Sequence, residues 1–122
     1  MRLSISGYTA TSAAGVGLNA LRESIAARRS GLRENDFDNC DLGTWIGRVE
    51  QIDCTELPIE HAHLESRNNR LAWLALQQDG FIDAVAGAVA RHGADRVAVV
   101  LGTSTSGIEE TEQAWARRGA DG

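Results

Sequence analysis

The chain has no lysine: all twelve of its cationic side chains are arginine. A Schiff-base lysine and the lysine of a Walker-type phosphate loop are therefore excluded on this chain. The arginine bias itself is what a GC-rich coding sequence leaves behind. Positive charge is also in deficit, with a net charge of −5. That balance argues against general binding of nucleic acid, which needs a basic surface. No apolar run approaches twenty residues, so no membrane span is expected. Cysteine occurs twice, at Cys40 and Cys54, and no signal-peptide pattern opens the sequence. The expected setting is the reducing cytoplasm. Aromatic side chains make up 5% of the residues, against 43% apolar residues overall. An α/β domain built from small side chains, rich in alanine and glycine, fits that composition. At 122 residues the chain is one domain or part of one.

Along the chain, Leu3 and Ile5 alternate with polar neighbours, which predicts a short strand over residues 2–6. Gly7 to Gly17 is a loop of small residues. A helix is predicted from Gly17 or Asn19 to about Arg29, with Leu18, Leu21 and Ile25 on one face and Gly31 as a left-handed cap. Residues 33–63 have no helical period and are rich in the turn formers Asn, Asp and Gly. Trp45 to Val49 reads as a short extended piece. Residues 65–91 carry Leu71, Leu74, Ile82, Val85 and Val89 at helical steps, with Gly80 as the place where two helices would meet. Val97 to Leu101 is a run of apolar residues, three of them valine, that predicts a buried strand. The small residues Gly102 to Gly107 follow it. A last helix over 107–118 would place Glu109, Glu110 and Glu112 near its positive end and Arg117 and Arg118 near its negative end.

Residues able to carry chemistry are few. Cys40 and Cys54 are too far apart in sequence for a zinc pattern, and His61 and His63 have no further ligands near them. No metal site is expected. A catalytic thiolate needs a helix N-terminus, a histidine or a cation beside it. Cys40 instead sits among Asp36, Asp38 and Asp41, and Cys54 lies near Asp53 and Glu56. Both are read as structural or incidental thiols, and His61, His63 and His92 as surface residues. The loop Gly102 to Gly107 lacks a phosphate-binding lysine and the dinucleotide glycine spacing, so tight packing explains it better than a phosphate cradle. Trp45, Trp73 and Trp115 read as core or interface residues.

Five pieces of sequence, in order, resemble the beginning of a β-ketoacyl-ACP synthase. Ile5, Gly7, Ser12 and Gly15 match that family's opening Ile-Thr-Gly-x-Gly-x-x-Ser-x-x-Gly, with Thr9 replacing its second glycine. Ala20-Leu21 and Arg29-Ser30-Gly31-Leu32 are similar to its first helix and the turn after it. Gly47-Arg48-Val49 matches a Gly-x-Val piece, and Arg67 to Ala75 an arginine-marked helix start. Arg96 to Ser104 is similar to its Arg-Val-Gly-Val-Val-Val-Gly-Thr-Gly. The resemblance spans residues 2 to about 116.

The resemblance implies part of the first half of a thiolase-like layered fold, a mixed sheet covered by helices. Residues 1–122 would be the N-terminal portion of a single, truncated synthase domain. The complete enzyme would condense acyl groups with malonyl-ACP in fatty-acid or polyketide synthesis. Its partners would be acyl carrier protein and a second chain, with no external cofactor, nucleic acid or membrane. The family's nucleophilic cysteine sits in a later Thr-Ala-Cys-Ser/Thr motif, and its two histidines come later still. None of these motifs is present, so the chain alone carries no catalytic residue and is expected to be inactive. By the same resemblance, Thr105 and Ser106 would lie beside the acyl-chain pocket. The alternatives are a chain-length-factor-like partner subunit, which has the same fold without the nucleophile, and a free-standing α/β interaction module.

Overall fold

The structure, a computed structural model, describes residues 3–37, 40–103 and 107–120. It is an α/β chain in which small hairpins and short helices gather around a modest core.

Thr11–Ser12 (β1) and Gly15–Val16 (β2) pair antiparallel, with Thr11 opposite Val16 and Ser12 opposite Gly15. Ser12 Oγ accepts a hydrogen bond from the Ala14 N–H at 3.2 Å and closes the turn between them. Gly17 then takes a left-handed φ of 81°, which starts α1, Leu18–Ala26.

That helix is shorter than its sequence period implies. The left-handed residue after it is Arg28, at φ 51°, and not Gly31. The Arg29 N–H bonds the Ser24 carbonyl at 2.9 Å, so the terminal carbonyls are satisfied before Gly31 is reached. Gly31 is needed for another reason. A Cβ there would run into the peptide joining Ala13 and Ala14. The position demands a missing side chain, not a special backbone angle.

Leu32–Glu34 (β3) and Trp45–Gly47 (β4) form a second antiparallel hairpin, with Arg33 opposite Ile46. The Asn35 side-chain amide donates to the carbonyls of Cys40, at 2.7 Å, and Leu42, at 3.0 Å. The turn formers read from the sequence thus organise the long connection, as side-chain amides do in place of regular structure.

Short 3₁₀ segments follow at Glu50–Cys54 and Ile59–Leu64, the second entered from Pro58. α2, Arg67–Leu76, is capped by Ser66, whose Oγ accepts the Asn69 N–H at 3.2 Å. The helical region breaks at Asp79 and Gly80, with φ 57° and 66°. α3, Phe81–His92, begins beyond them and ends at Gly93. A 3₁₀ turn at Ala94–Arg96 leads to the run Val97–Thr103, and α4 spans Ile108–Ala120. Among the described residues, no helix is long and apolar enough to cross a membrane.

The strands expected at 2–6 and 97–101 are not formed over the described residues. The sheets there are the two hairpins, both antiparallel, so no mixed sheet covered by helices appears. A strand exists through the partner that takes up its backbone groups. Among the described residues, Leu3–Ala10 and Ala98–Thr103 make no backbone–backbone hydrogen bond. Their apolar patterns fit strands, but the ladder hydrogen bonds are absent.

The core is small. Val49, Ile52 and Leu74 are buried together, with Val16 and Leu71 packed against them. It joins β2, the stretch from Val49 into the first 3₁₀ segment, and α2, three regions separate in sequence.

Candidate functional site

The two unpaired runs lie along a common cleft of about 800 Å³ whose other walls come from α2, α3, the β1–β2 hairpin and the stretch at Gly47 and Val49. Gly7 belongs to the first run and faces α3. A Cβ there would meet the Ala84 side chain at 3.4 Å. Thr9, two residues on, ties the run to the end of α2. Its Oγ1 lies 3.4 Å from the Ala75 carbonyl and donates to Asp79 Oδ2 at 2.7 Å. Small side chains on the helices, among them Ala72, Ala75 and Ala88, leave the space open. No Asp, Glu, Lys, Arg or His is among the described residues that line it. Such a surface can exclude water and hold an apolar chain, and the polar side chains among its described lining residues are the Tyr8 phenol, the Asn68 amide and serine and threonine hydroxyls.

The first run carries Ile5 and Gly7 of the opening motif of the resemblance, and the second carries Val97 to Thr103 of its last piece. Three further positions of the resemblance converge on the β1–β2 hairpin. A Cβ on Gly15 would meet the Leu21 nitrogen at 2.5 Å, and one on Gly47 would meet the Ala13 Cβ at 2.9 Å. Gly31 meets the same turn from another side. These glycines allow close packing of backbone, so their presence is explained without any contact to a ligand.

The other candidates separate cleanly. Thr105 and Ser106, expected beside an acyl pocket, lie outside the described residues. Cys40 and Cys54 are free and exposed. Cys40 sits in the connection between β3 and β4, where its carbonyl accepts from Asn35. Cys54 ends a 3₁₀ segment, and its neighbour Asp53 pairs with Arg67 at 2.6 Å. His61 and His63 lie in the second 3₁₀ segment and His92 closes α3. Among the described residues, no group of three or more His, Cys, Asp or Glu side chains is placed to hold a metal.

Charged side chains gather instead on one outer face. Arg33 pairs with Asp36 at 3.0 Å and Glu50 at 2.9 Å, and Arg48 lies 3.1 Å from Asp36. The Arg48 guanidinium also stacks 5.3 Å from the centre of the Phe37 ring. These pairs are partly exposed and hold the base of the β3–β4 connection, each with a modest stabilising effect. A shallower depression of about 360 Å³ is lined, among the described residues, by Gly107 and residues of α4.

Sequence reasoning missed the cleft because it read both runs as finished strands. The signal was present: the segments share an apolar, uncharged character, and alanine recurs at cleft-facing positions on both helices. No protein-family model matches the chain, and neither does any curated protein or solved structure.

Proposed function

We propose that this chain is the N-terminal portion of a β-ketoacyl-ACP synthase domain with a thiolase-like layered fold, part of a cytoplasmic condensing enzyme. The observation that carries the reading is the ordered set of five sequence pieces. Three glycines from separate pieces, Gly15, Gly31 and Gly47, meet around one hairpin. Shared packing of that kind gives the motif glycines a common structural reason to occur together.

In this reading the complete enzyme accepts an acyl group on a cysteine supplied downstream. It then decarboxylates malonyl-ACP and joins the two fragments. An activated thiol is the nucleophile such chemistry needs. Histidines supplied downstream stabilise the developing enolate charge. The present chain contributes scaffold and cleft wall, with Thr105 and Ser106 beside the acyl channel. Acyl carrier protein and a second chain are its partners.

The coding sequence beyond Gly122 tests this directly. The expected result is a continuous reading frame carrying a Thr-Ala-Cys-Ser/Thr motif and two later histidines. The same frame with another residue in place of that cysteine would make the chain a chain-length-factor-like subunit. A stop codon after Gly122 with no condensing-enzyme sequence behind it would overturn the reading and leave a free-standing module.

A further inference from the structure

Asp79 is followed by Gly80, and no other Asp-Gly or Asn-Gly pair occurs among the described residues. The pair forms the corner between α2 and α3, with φ values of 57° and 66°. An Asp-Gly pair can react with itself, because glycine has no side chain to shield its nitrogen from the neighbouring carboxyl. The corner adds no such shield. A Cβ built at Gly80 would have no described atom within 4 Å, and the Gly80 N–H takes no backbone acceptor among the described residues. Both residues are exposed, so water reaches the pair.

The restraint on this reaction is the use already made of the carboxylate. Asp79 Oδ1 accepts from the Leu18 N–H at 3.2 Å. Oδ2 accepts from the same N–H at 3.0 Å and from the Thr9 hydroxyl at 2.7 Å. Both oxygens are therefore engaged, by donors 61 and 70 residues away in sequence. Ring closure needs one of those oxygens as its leaving group, so it cannot proceed while both are held.

The chemistry balances without an oxidant or a cofactor. The Gly80 nitrogen attacks Asp79 Cγ and a C–N bond forms. The protonated carboxyl gives up its hydroxyl, the amide gives up its proton, and the two leave as water. Water then opens the five-membered imide. Added at Cγ, it restores aspartate. Added at the former main-chain carbonyl, it breaks the old peptide bond and leaves Gly80 joined through Cγ, an isoaspartate of unchanged mass. The main chain is then one carbon longer at the corner, and the carboxylate that remains sits directly on Cα.

We propose that Asp79–Gly80 is a self-modification site gated by the Thr9 and Leu18 contacts. Local opening of the anchor frees the carboxyl for ring closure. The isoaspartate that forms holds its carboxylate one carbon shorter, away from both donors, so a reversible opening becomes permanent. Every group involved lies within the described residues, and the site does not rest on the condensing-enzyme relationship.

The test ages the whole chain at neutral pH and physiological temperature, folded and unfolded in urea, beside Thr9→Val, which removes the hydroxyl and keeps the branched shape. Trypsin releases residues 71–91 as one peptide, between Arg70 and Arg91. Electron-transfer fragmentation distinguishes aspartate from isoaspartate within it. Isoaspartate at residue 79 is expected to accumulate about tenfold or more slowly in the folded chain than in urea. Folded Thr9→Val is expected to form it about tenfold faster than folded wild type, the effect of losing one hydrogen bond to a charged group. In urea the two chains should match, because Thr9 is then remote from the corner. Aged wild type, enriched in isoaspartate, is expected to unfold at a lower urea concentration than fresh protein.

Equal rates in folded and unfolded wild type would overturn the proposal, as would a folded Thr9→Val chain that ages no faster than wild type. So would isoaspartate confined to other positions of the folded chain, or aged protein with an unchanged urea midpoint. Circular dichroism establishes that Thr9→Val is folded, and the comparison of folded with unfolded wild type stands without that variant.

Discussion

The carboxylate of Asp79 accepts a hydrogen bond from the backbone N–H of Leu18 at 3.0 Å, across 61 residues of sequence. Gly17, the residue before α1, has no side chain to cap it, so the anion at the helix N-terminus comes from the corner between α2 and α3. The same carboxylate accepts from the Thr9 hydroxyl at 2.7 Å. One side chain thus fixes the first apolar run, the start of α1 and the α2–α3 corner relative to one another. Asp79→Ala is expected to cost about 1–2 kcal/mol, the range of a lost helix cap. Asp79→Asn keeps an acceptor oxygen and tolerates the left-handed backbone, so it should cost less. Urea unfolding midpoints of the three proteins check the order. Equal stability of wild type and Asp79→Ala would show that the bond contributes nothing.

Two glycines should differ in their response to an added methyl group. Gly31→Ala forces a Cβ against the Ala13–Ala14 peptide, which cannot swing aside as a side chain can. A loss of about 1–3 kcal/mol is expected, as for other overpacked sites. At Gly43 an added Cβ would have no atom within 4 Å, so Gly43→Ala serves as the neutral comparison. Thermal unfolding of the pair separates steric from general effects.

Gly87 lies inside α3 and also has nothing within 4 Å of an added Cβ. Gly87→Ala should raise stability by about 0.5–1 kcal/mol through helix propensity alone. A higher urea midpoint with an unchanged slope is the expected signature. A lower midpoint would mean that α3 does not hold this residue in its interior.

Leu74 is one of three buried apolar residues in the core among the described residues and is 7% exposed. Leu74→Ala should cost about 2–5 kcal/mol, the usual range for a truncated core leucine. In so small a core that loss is a large part of the total, so broad unfolding and increased dye binding at room temperature are expected. Retention of a sharp, wild-type transition would show that the core lies elsewhere.

Incubated with acyl-ACP, the chain should acquire no acyl thioester. Both cysteines are exposed, and neither stands at a helix N-terminus. Mass spectrometry of the intact chain reads the outcome. An acyl adduct lost on Cys40→Ser or Cys54→Ser would identify an active thiol on this chain.

Local sequence signals account well for the helices. The break at Gly80, the turn chemistry around Asn35 and the last helix were all legible, because caps, turns and helical periods depend on residues within a few positions of one another. The α/β composition and the extended piece at Trp45 were legible on the same grounds. The end of α1 was not, since Arg28 took the left-handed position and left Gly31 to a tertiary contact. A glycine reads alike whether it supplies a backbone angle or an empty space, and only its neighbours in the fold separate the two.

The apolar runs at Leu3–Ser6 and Val97–Leu101 mark the same boundary more sharply. Sequence determined that the first alternates apolar with polar residues, that the second is apolar throughout, and that both are uncharged and suited to a strand. Whether they form one depends on a partner for their backbone groups, which no local pattern encodes. Tertiary structure alone decided that the two runs line one cleft against α2 and α3, and that Asp79 reaches Leu18. Composition and periodicity act through neighbours in the chain. Cleft, core and long-range cap come from residues that meet only after folding.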